Sequence, residues 1–324
     1  MEFFHGVNID WLGKKWYFLS FSLIFSIAGI VSMAMHMGSI GSVVPLSVDF
    51  RGGTEVEVKF QQTPDINAIR KAMDAAGITD AKIQNYSGSG GGNEVLISLP
   101  EQHNENALDS SRQVIVSTLH THYANPFDDK AVKVDVVGPT VGKQLQNKAV
   151  EATLLSLLGM LVYLWFRFQL IYGVAAVVAC FHDTLITIGA FALTNQEISL
   201  TVIAAILTLV GYSMNDTIVV FDRIRENLRM NRKETLTDLV NKSINQTLSR
   251  TVLTSGLTFL TVLSLYIYGG QVLRGFSFAL VVGILIGTYS SIAVAAPMLV
   301  AWQEWRAGKV SDAVSLPAAK RHRG

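Results

Sequence analysis

The chain has 324 residues, half of them hydrophobic and only 16% charged, with a net charge of +1. Soluble domains carry about a quarter of their residues charged, so this deficit points to a membrane protein, and the near-neutral balance excludes a strongly basic, nucleic-acid-binding character. The single cysteine, Cys180, lies in an apolar segment, which excludes a disulfide framework within the chain and leaves a thiolate metal site unsupported.

Residues 1–16 end in Lys14 and Lys15 and lead into the uncharged run 17–35. A membrane helix needs roughly 20 mainly apolar residues, and this run sets the first span at 17–37. It is too long for a signal-peptide core and lacks an A-x-A cleavage site, so it reads as an anchor. Residues 38–148 change character. VDFRGGTEVEVKF alternates after Gly52-Gly53 and predicts a strand. Pro64 opens DINAIRKAMDAAGI, an amphipathic helix stopped at Gly77. DAKIQNY and EVLISLP predict two strands around the flexible hairpin loop SGSGGGN. ENALDSSRQVIVSTLHTHY predicts a second helix and AVKVDVVG a last strand. The order β-α-β-β-α-β is that of a ferredoxin-like α+β domain with its own small core. The glycine loop lacks the Lys-Ser/Thr of a phosphate loop and opens no helix. His103, His120 and His122 read as surface residues, because positions two apart do not share a helix face.

Five more apolar runs follow within 149–303: 152–166, 168–196 with Asp183 as its one charge, 198–215 running into Asp216, 251–273 and 275–303. The expected fold is therefore an α-helical polytopic membrane protein with six transmembrane helices and an inserted α+β domain. Arg223, Arg225, Arg229, Arg232, Lys233, Lys242 and Arg250 crowd the 222–250 loop, and Arg306, Lys309, Lys320, Arg321 and Arg323 fill the tail 304–324. Positive segments belong on the cytoplasmic side. Six spans then place both termini inside and residues 38–148 outside. Gly283 and Gly287 make a small-xxx-small step suited to close helix packing.

Charged groups at membrane depth cost at least about 2.5 kcal/mol and survive by facing protein, pairing or taking up a proton. Asp216 precedes the apolar TIVVF, which argues against a simple helix-end cap. Arg250, at the inner start of the fifth span, has a side chain long enough to reach towards it. The sequence thus predicts a switchable Asp216–Arg250 pair, against the alternative of a static structural pair. Asp222 and Arg225 read as a solvated interfacial pair. Asp183 beside His182 is either functional or a satisfied interhelical contact. A hydrolase is disfavoured, since there is no HExxH and no nucleophile at a strained turn.

Five stretches resemble one family: VDFRGGT, VGPTVGKQL, FHDTLITIGA, GYSMNDTIVVFDRIREN and LSRTVLTSGLT. In order and spacing they are similar to the SecD/SecF family of protein-export membrane proteins, within the resistance–nodulation–division superfamily. The resemblance implies a six-span half of a twelve-span pair completed by SecD, association with the SecYEG channel and YajC, and preproteins in transit as substrate. It implies use of the proton-motive force, with Asp216, Arg250 and Asp183 in proton coupling and His182, Asn215 and Thr217 in support. It makes Asp49 to Thr54 a structural link between the first span and the domain. It implies no enzyme activity, cofactor or metal, and a cytoplasmic-membrane location. A proton-coupled small-molecule or lipid exporter of the same superfamily, or a non-conducting translocon scaffold, stands as the alternative.

Overall fold

The computed structural model describes residues 8–78, 81–86, 93–99, 107–168, 170–230 and 234–314. In chain order the elements are α1 (Lys15–Ile40), α2 (Val48–Arg51), β1 (Gly53–Lys59), α3 (Ile66–Ala75), β2 (Lys82–Tyr86), β3 (Glu94–Leu99), α4 (Ala107–His122), β4 (Lys133–Val137), α5 (Pro139–Arg167), α6 (Leu170–Thr194), α7 (Leu200–Met230), α8 (Leu236–Tyr268), α9 (Gly270–Ser290) and α10 (Ala296–Val314). A π-helical turn, Ser291–Ala295, joins α9 to α10, so the last two helices form one continuous span.

Among the described residues six helices are long and apolar enough to cross a membrane. Their burial sorts them. The apolar windows of α6 and α7 are each 50% buried and that of the last span, Val272–Trp305, is 56% buried, whereas those of α1 and α5 are 11% and that of α8 is 17% buried. The third, fourth and sixth spans are therefore the centre of the bundle, and the first, second and fifth lie on its rim. One core joins Phe221, Ile224, Ala176, Val240 and Leu299. A second, towards the other end, joins Phe191, Val202, Ala205, Leu209 and Leu280. Two glycines bring α1 onto α6: a Cβ on Gly29 or Gly189 would lie 2.8–2.9 Å from the other's Cα. Only hydrogen fits in that space.

Between α1 and α5 the chain makes an antiparallel sheet in the order β2-β3-β1-β4. Alternation turns Val56, Val58, Val95 and Ile97 towards Ile69 and Met73 of α3 and Ile115 and Leu119 of α4, closing a separate core. α3 starts where the sequence predicts. The Asp65 carboxylate accepts from the amides of Asn67 and Ala68, which satisfies donors at the helix start. Gly77 takes a positive φ of 81° just beyond its end. The SGSGGG stretch at 87–92, His103 and the tail beyond 314 lie outside the described residues.

α5 starts at Pro139, ten residues before the expected start of the second span at 149, so the helix continues beyond the apolar run. Its polar first turns pack on α2. A Cβ on Gly142 would lie 2.8 Å from the carbonyl oxygen of Phe50, and Gln146 Nε2 donates to that same oxygen at 2.8 Å. The basic 222–250 stretch is not an open loop. α7 runs on to Met230, and α8 begins at Leu236, where the Thr235 hydroxyl accepts from the Asp238 amide. The charged residues there face outward from helices that continue beyond the span. Finally, the cation beside Asp222 is Arg167 at 4.0 Å, not Arg225. Arg225 donates to the Arg167 carbonyl and lies 5.7 Å over the Phe168 ring.

Candidate functional site

The central helix α7 carries one side of each of two buried polar clusters. Asp216, 2% exposed, turns towards α8, where Ser255 Oγ donates to its Oδ2 at 2.6 Å. Thr217 is also buried and donates to the Ser213 carbonyl at 3.2 Å. Asn215 is exposed and points out of the bundle. Asp183 of α6, the second interior carboxylate, is fully enclosed. Its Oδ2 accepts from Ser213 of α7 at 2.6 Å and from Ser290 at the end of α9 at 2.7 Å. Its Oδ1 lies 3.0 Å from His182 Nδ1. The other ring nitrogen of His182 contacts Ser22 Oγ of α1. Three helices thus place hydroxyls or an imidazole against one carboxylate.

Each partner is brought in by packing. A Cβ on Gly287 would lie 3.0 Å from the Ser213 side chain, and one on Gly283 would overlap Leu209. The glycine step therefore seats α9 on α7 and delivers Ser290 to Asp183. The π-helical turn begins at the next residue. Such single-turn insertions offset the register of a helix and occur often at functional sites. The Gly29–Gly189 contact seats α1 on α6 and delivers Ser22 to His182.

The predicted Asp216–Arg250 pair is not an ion pair in this structure: no cation of the described residues lies within 4.0 Å of Asp216, whose partner is Ser255. Arg250 is exposed. It lines a polar cavity of about 1510 Å³ with Ser249, Thr254, Asn241, Asn245 and Lys242. The N-terminal segment lies along this cavity. Asn245 accepts from the Ile9 amide and the Trp11 indole at 3.2 and 3.1 Å and donates to the Ile9 carbonyl. Asn241 accepts from the Leu12 amide and donates to Asp10. Thr251, next to Arg250 on α8, has a buried hydroxyl with no hydrogen-bond partner among the described residues.

The histidines of the α+β domain are accounted for locally. His120 is exposed, stacks on Phe127 at 4.6 Å and lies 2.8 Å from Asp129. His122 is exposed on the same helix. Ser22, Ser213, Ser255 and Ser290 escape the sequence reading, although Ser290 shares the run of small residues with Gly283 and Gly287. Their one signal is position: Ser213, Ser255 and Ser290 fall on helix faces that meet a buried carboxylate, and Ser22 on the face of α1 that meets His182.

Six apolar helices, an inserted sheet domain and interior carboxylates held by hydroxyls define a multi-pass membrane protein whose polar chemistry lies inside its helix bundle. Residues 116–305 match the family described as "Protein export membrane protein SecD/SecF, C-terminal", and residues 41–64 match the "SecD/SecF GG Motif". The chain is 52% identical to the protein translocase subunit SecF of Koribacter versatilis over 99% of its own length and 98% of that protein. It is 42% identical to the SecF of Calditerrivibrio nitroreducens over 90% of its own length and 93% of that protein. Among solved structures it resembles SecDF of Thermus thermophilus, described as a translocon-associated membrane protein, with a TM-score of 0.78 and 36% identity. The match covers 92% of this chain and 39% of that longer one.

The chain belongs to the SecD/SecF family of protein-export membrane proteins and groups with its SecF subunits. Its activity is that of a subunit of the protein translocase.

Proposed function

We propose that the chain uses the proton-motive force to promote the late stage of preprotein translocation across the bacterial cytoplasmic membrane, with Asp216 as the group that gains and loses the proton. The observation that carries this reading is the burial of Asp216 in the central helix with a hydroxyl, Ser255 of α8, as its partner, while Arg250, on the same helix as Ser255, lines a polar cavity. A carboxylate in that setting is expensive as an anion and inexpensive as an acid. A proton arriving there removes a buried charge and changes what the Ser255 hydroxyl and the face of α8 meet. A packed bundle answers such a change by moving between discrete arrangements. Voltage alone supplies about 2.3 kcal/mol per proton at 100 mV.

Asp183 is the second group of the relay. Ser213 is three residues before Asp216 on the same helix, so a shift of α7 at one carboxylate is felt at the other. His182 links that site to α1, which leads into the α+β domain. Asn215 and Thr217 flank Asp216 without touching it. Thr217 fixes the local turn, and Asn215 faces a neighbour beyond this chain.

The α+β domain is of the ferredoxin-like kind, supported by the order β-α-β-β-α-β and the sheet order β2-β3-β1-β4. Charge places both termini and the inner ends of α7 and α8 in the cytoplasm and the domain outside. Working boundaries are an N-terminal segment 1–16, a first span 17–37, an outer domain 38–148, a helical bundle 149–303 and a tail 304–324. SecD supplies the other half of a twelve-span unit, as suggested by the SecDF chain, of which this one covers 39%. SecYEG, YajC and the preprotein complete the assembly. The coupling chemistry needs no cofactor and makes no covalent bond, so the subunit is not an enzyme.

The test is preprotein release from membrane vesicles with and without a proton gradient. Native chain shows a gradient-dependent component. Asp216→Asn abolishes that component and leaves the gradient-independent release and the assembly of the complex unchanged. Gradient-dependent release surviving in Asp216→Asn contradicts the reading and favours a scaffold.

A further inference from the structure

The face of the sheet away from its helices carries a second group of carboxylates. The pairs Lys82↔Ser98, Glu55↔Ser98 and Glu55↔Asp135 set Lys82, Ser98, Glu55 and Asp135 in one row across β2, β3, β1 and β4. Residues opposite one another in a sheet share a face. That face lies against the connection between α6 and α7. Lys82 forms an ion pair with Glu197 of that connection, and the two line a cavity of about 510 Å³ with Ser98, Leu46 and Arg51.

The seam is fastened by backbone as well. Ser47 N donates to the Ile198 carbonyl at 3.0 Å, and Ile198 N to the Pro45 carbonyl at 2.9 Å. The Asp49 carboxylate accepts from the Leu200 amide at 3.0 Å, where α7 begins. The GG-motif segment is thus a latch joining the sheet domain to the head of the helix that carries Asp216.

Glu55 is the charge this seam leaves unbalanced. It is partly buried and accepts one hydrogen bond, from Ser98 Oγ at 3.2 Å. Asp135 of β4, Asp49 of α2 and Glu197 of the α6–α7 connection face it, all of one sign. The cations nearby are committed or solvent-facing. Lys82 is taken by Glu197, and Lys133 by Glu57 at 3.1 Å. Arg274 of α9 lies 5.9 Å over the Tyr266 ring, and Arg51 is exposed at the cavity wall. Among the described residues Glu55 has no ion-pair partner. Protonating it would remove the charge without removing the Ser98 bond.

We propose that Glu55 is a proton-binding site at the seam between the sheet domain and the helix bundle, and that its occupancy sets how firmly the domain sits on the α6–α7 connection. With the proton bound, the row of carboxylates loses its central charge and the seam closes. Without it, Glu55 repels Asp135, Asp49 and Glu197, and the seam loosens. Burial chiefly, with those three neighbours, raises the Glu55 carboxyl from 4.5 to about 7 against the opposing pull of the Ser98 bond. The seated domain therefore binds the proton more tightly than a lifted one with an ordinary carboxyl. Its advantage is full at pH below the ordinary value and is lost as pH rises from there through about 7. The compartment facing the sheet thus reads its own acidity, independently of Asp216.

The test is the distance between spin labels at Arg70→Cys on α3 and Thr194→Cys at the end of α6, both exposed, in the full-length chain in lipid nanodiscs. The native Cys180 is buried and stays unlabelled. Between about pH 5.5 and about pH 8.5, on either side of the raised carboxyl value, a narrow distribution should broaden as pH rises through about 7. Glu55→Gln should stay narrow throughout. Asp135→Asn should lower the midpoint. A distribution that does not change with pH in the unsubstituted chain overturns the proposal, as does an unaltered transition in Glu55→Gln. Neither outcome bears on Asp216, whose test is gradient-dependent release.

Discussion

Ser213 decides how the two interior carboxylates are related. It donates to Asp183 and sits three residues from Asp216. Asp183 holds Ser213 and Ser290 on the same oxygen, so the two hydroxyls form one cluster rather than two independent contacts. Hydrogen bonds between membrane helices average about 0.6 kcal/mol, with values up to about 1.7 kcal/mol. Ser213→Ala and Ser290→Ala should each lower thermal stability by an amount in that range. The double variant should cost more than the two added together, because one donor still serves the carboxylate after either single change and neither does after both. A double-mutant cycle on detergent-solubilised protein measures this, and strict additivity would separate the two contacts. Asp216 and Asp183 are legible in the sequence because a charge inside an apolar run is conspicuous. The serines are not. Hydroxyls in these helices mostly satisfy themselves on the carbonyl four residues back, as Thr184, Thr208, Thr258 and Thr261 do. Residue type alone does not tell those from Ser255, which reaches across to another helix. Nor does the sequence show that Arg250 stands in a polar cavity while a serine takes its place at Asp216.

At the scale of elements, the bundle is built on glycines that sequence reading treats as generic. Gly29 and Gly189 put α1 and α6 in backbone contact, and the His182–Ser22 contact depends on that closeness. Gly189→Val introduces a branched side chain where even a Cβ lies 2.8 Å from the Gly29 Cα. Backbone cannot give way as a flexible side chain can. Overpacking of this sort costs about 1–3 kcal/mol, and we expect a fall in Tm together with loss of the α1–α6 seam, read as a cross-link between cysteines placed on the two helices. A Tm and cross-linking yield equal to those of the unsubstituted chain would show that the two helices are not held this way. The spans themselves are legible, since apolar length is a strong signal. Their ends are not. Polar turns such as KQLQNK on α5 and the charged ends of α7 and α8 look like loops in composition, yet they stay helical by packing on α2 or by capping at Thr235. The order of strands and helices in the inserted domain follows from alternation and turn residues. The pairing order β2-β3-β1-β4 follows from that element order only once the domain is assumed to close a single core.

At the scale of the whole molecule, one connection carries the coupling. The latch from Pro45 to Gly52 touches the sheet, the start of α5 and the head of α7 through short, specific contacts: Ser47 to Ile198, Asp49 to Leu200, and Phe50 to Gly142 and Gln146. In the proposed mechanism, a displacement of α7 at Asp216 is delivered through these contacts to the domain. The paired glycines Gly52 and Gly53, with φ of 77° and 131°, let the chain turn from the latch into β1. The sequence shows this stretch as a link but not as a clamp, because its partners are more than ninety residues away in the chain. The account as a whole rests on a proton passing by way of Asp216. The most direct measurement is proton flux into proteoliposomes holding the assembled complex, followed with a dye trapped inside under an imposed pH gradient. Flux above that of empty liposomes, abolished in Asp216→Asn and retained in Asn215→Ala, is the predicted result. Equal flux in Asp216→Asn and the unsubstituted complex would contradict it.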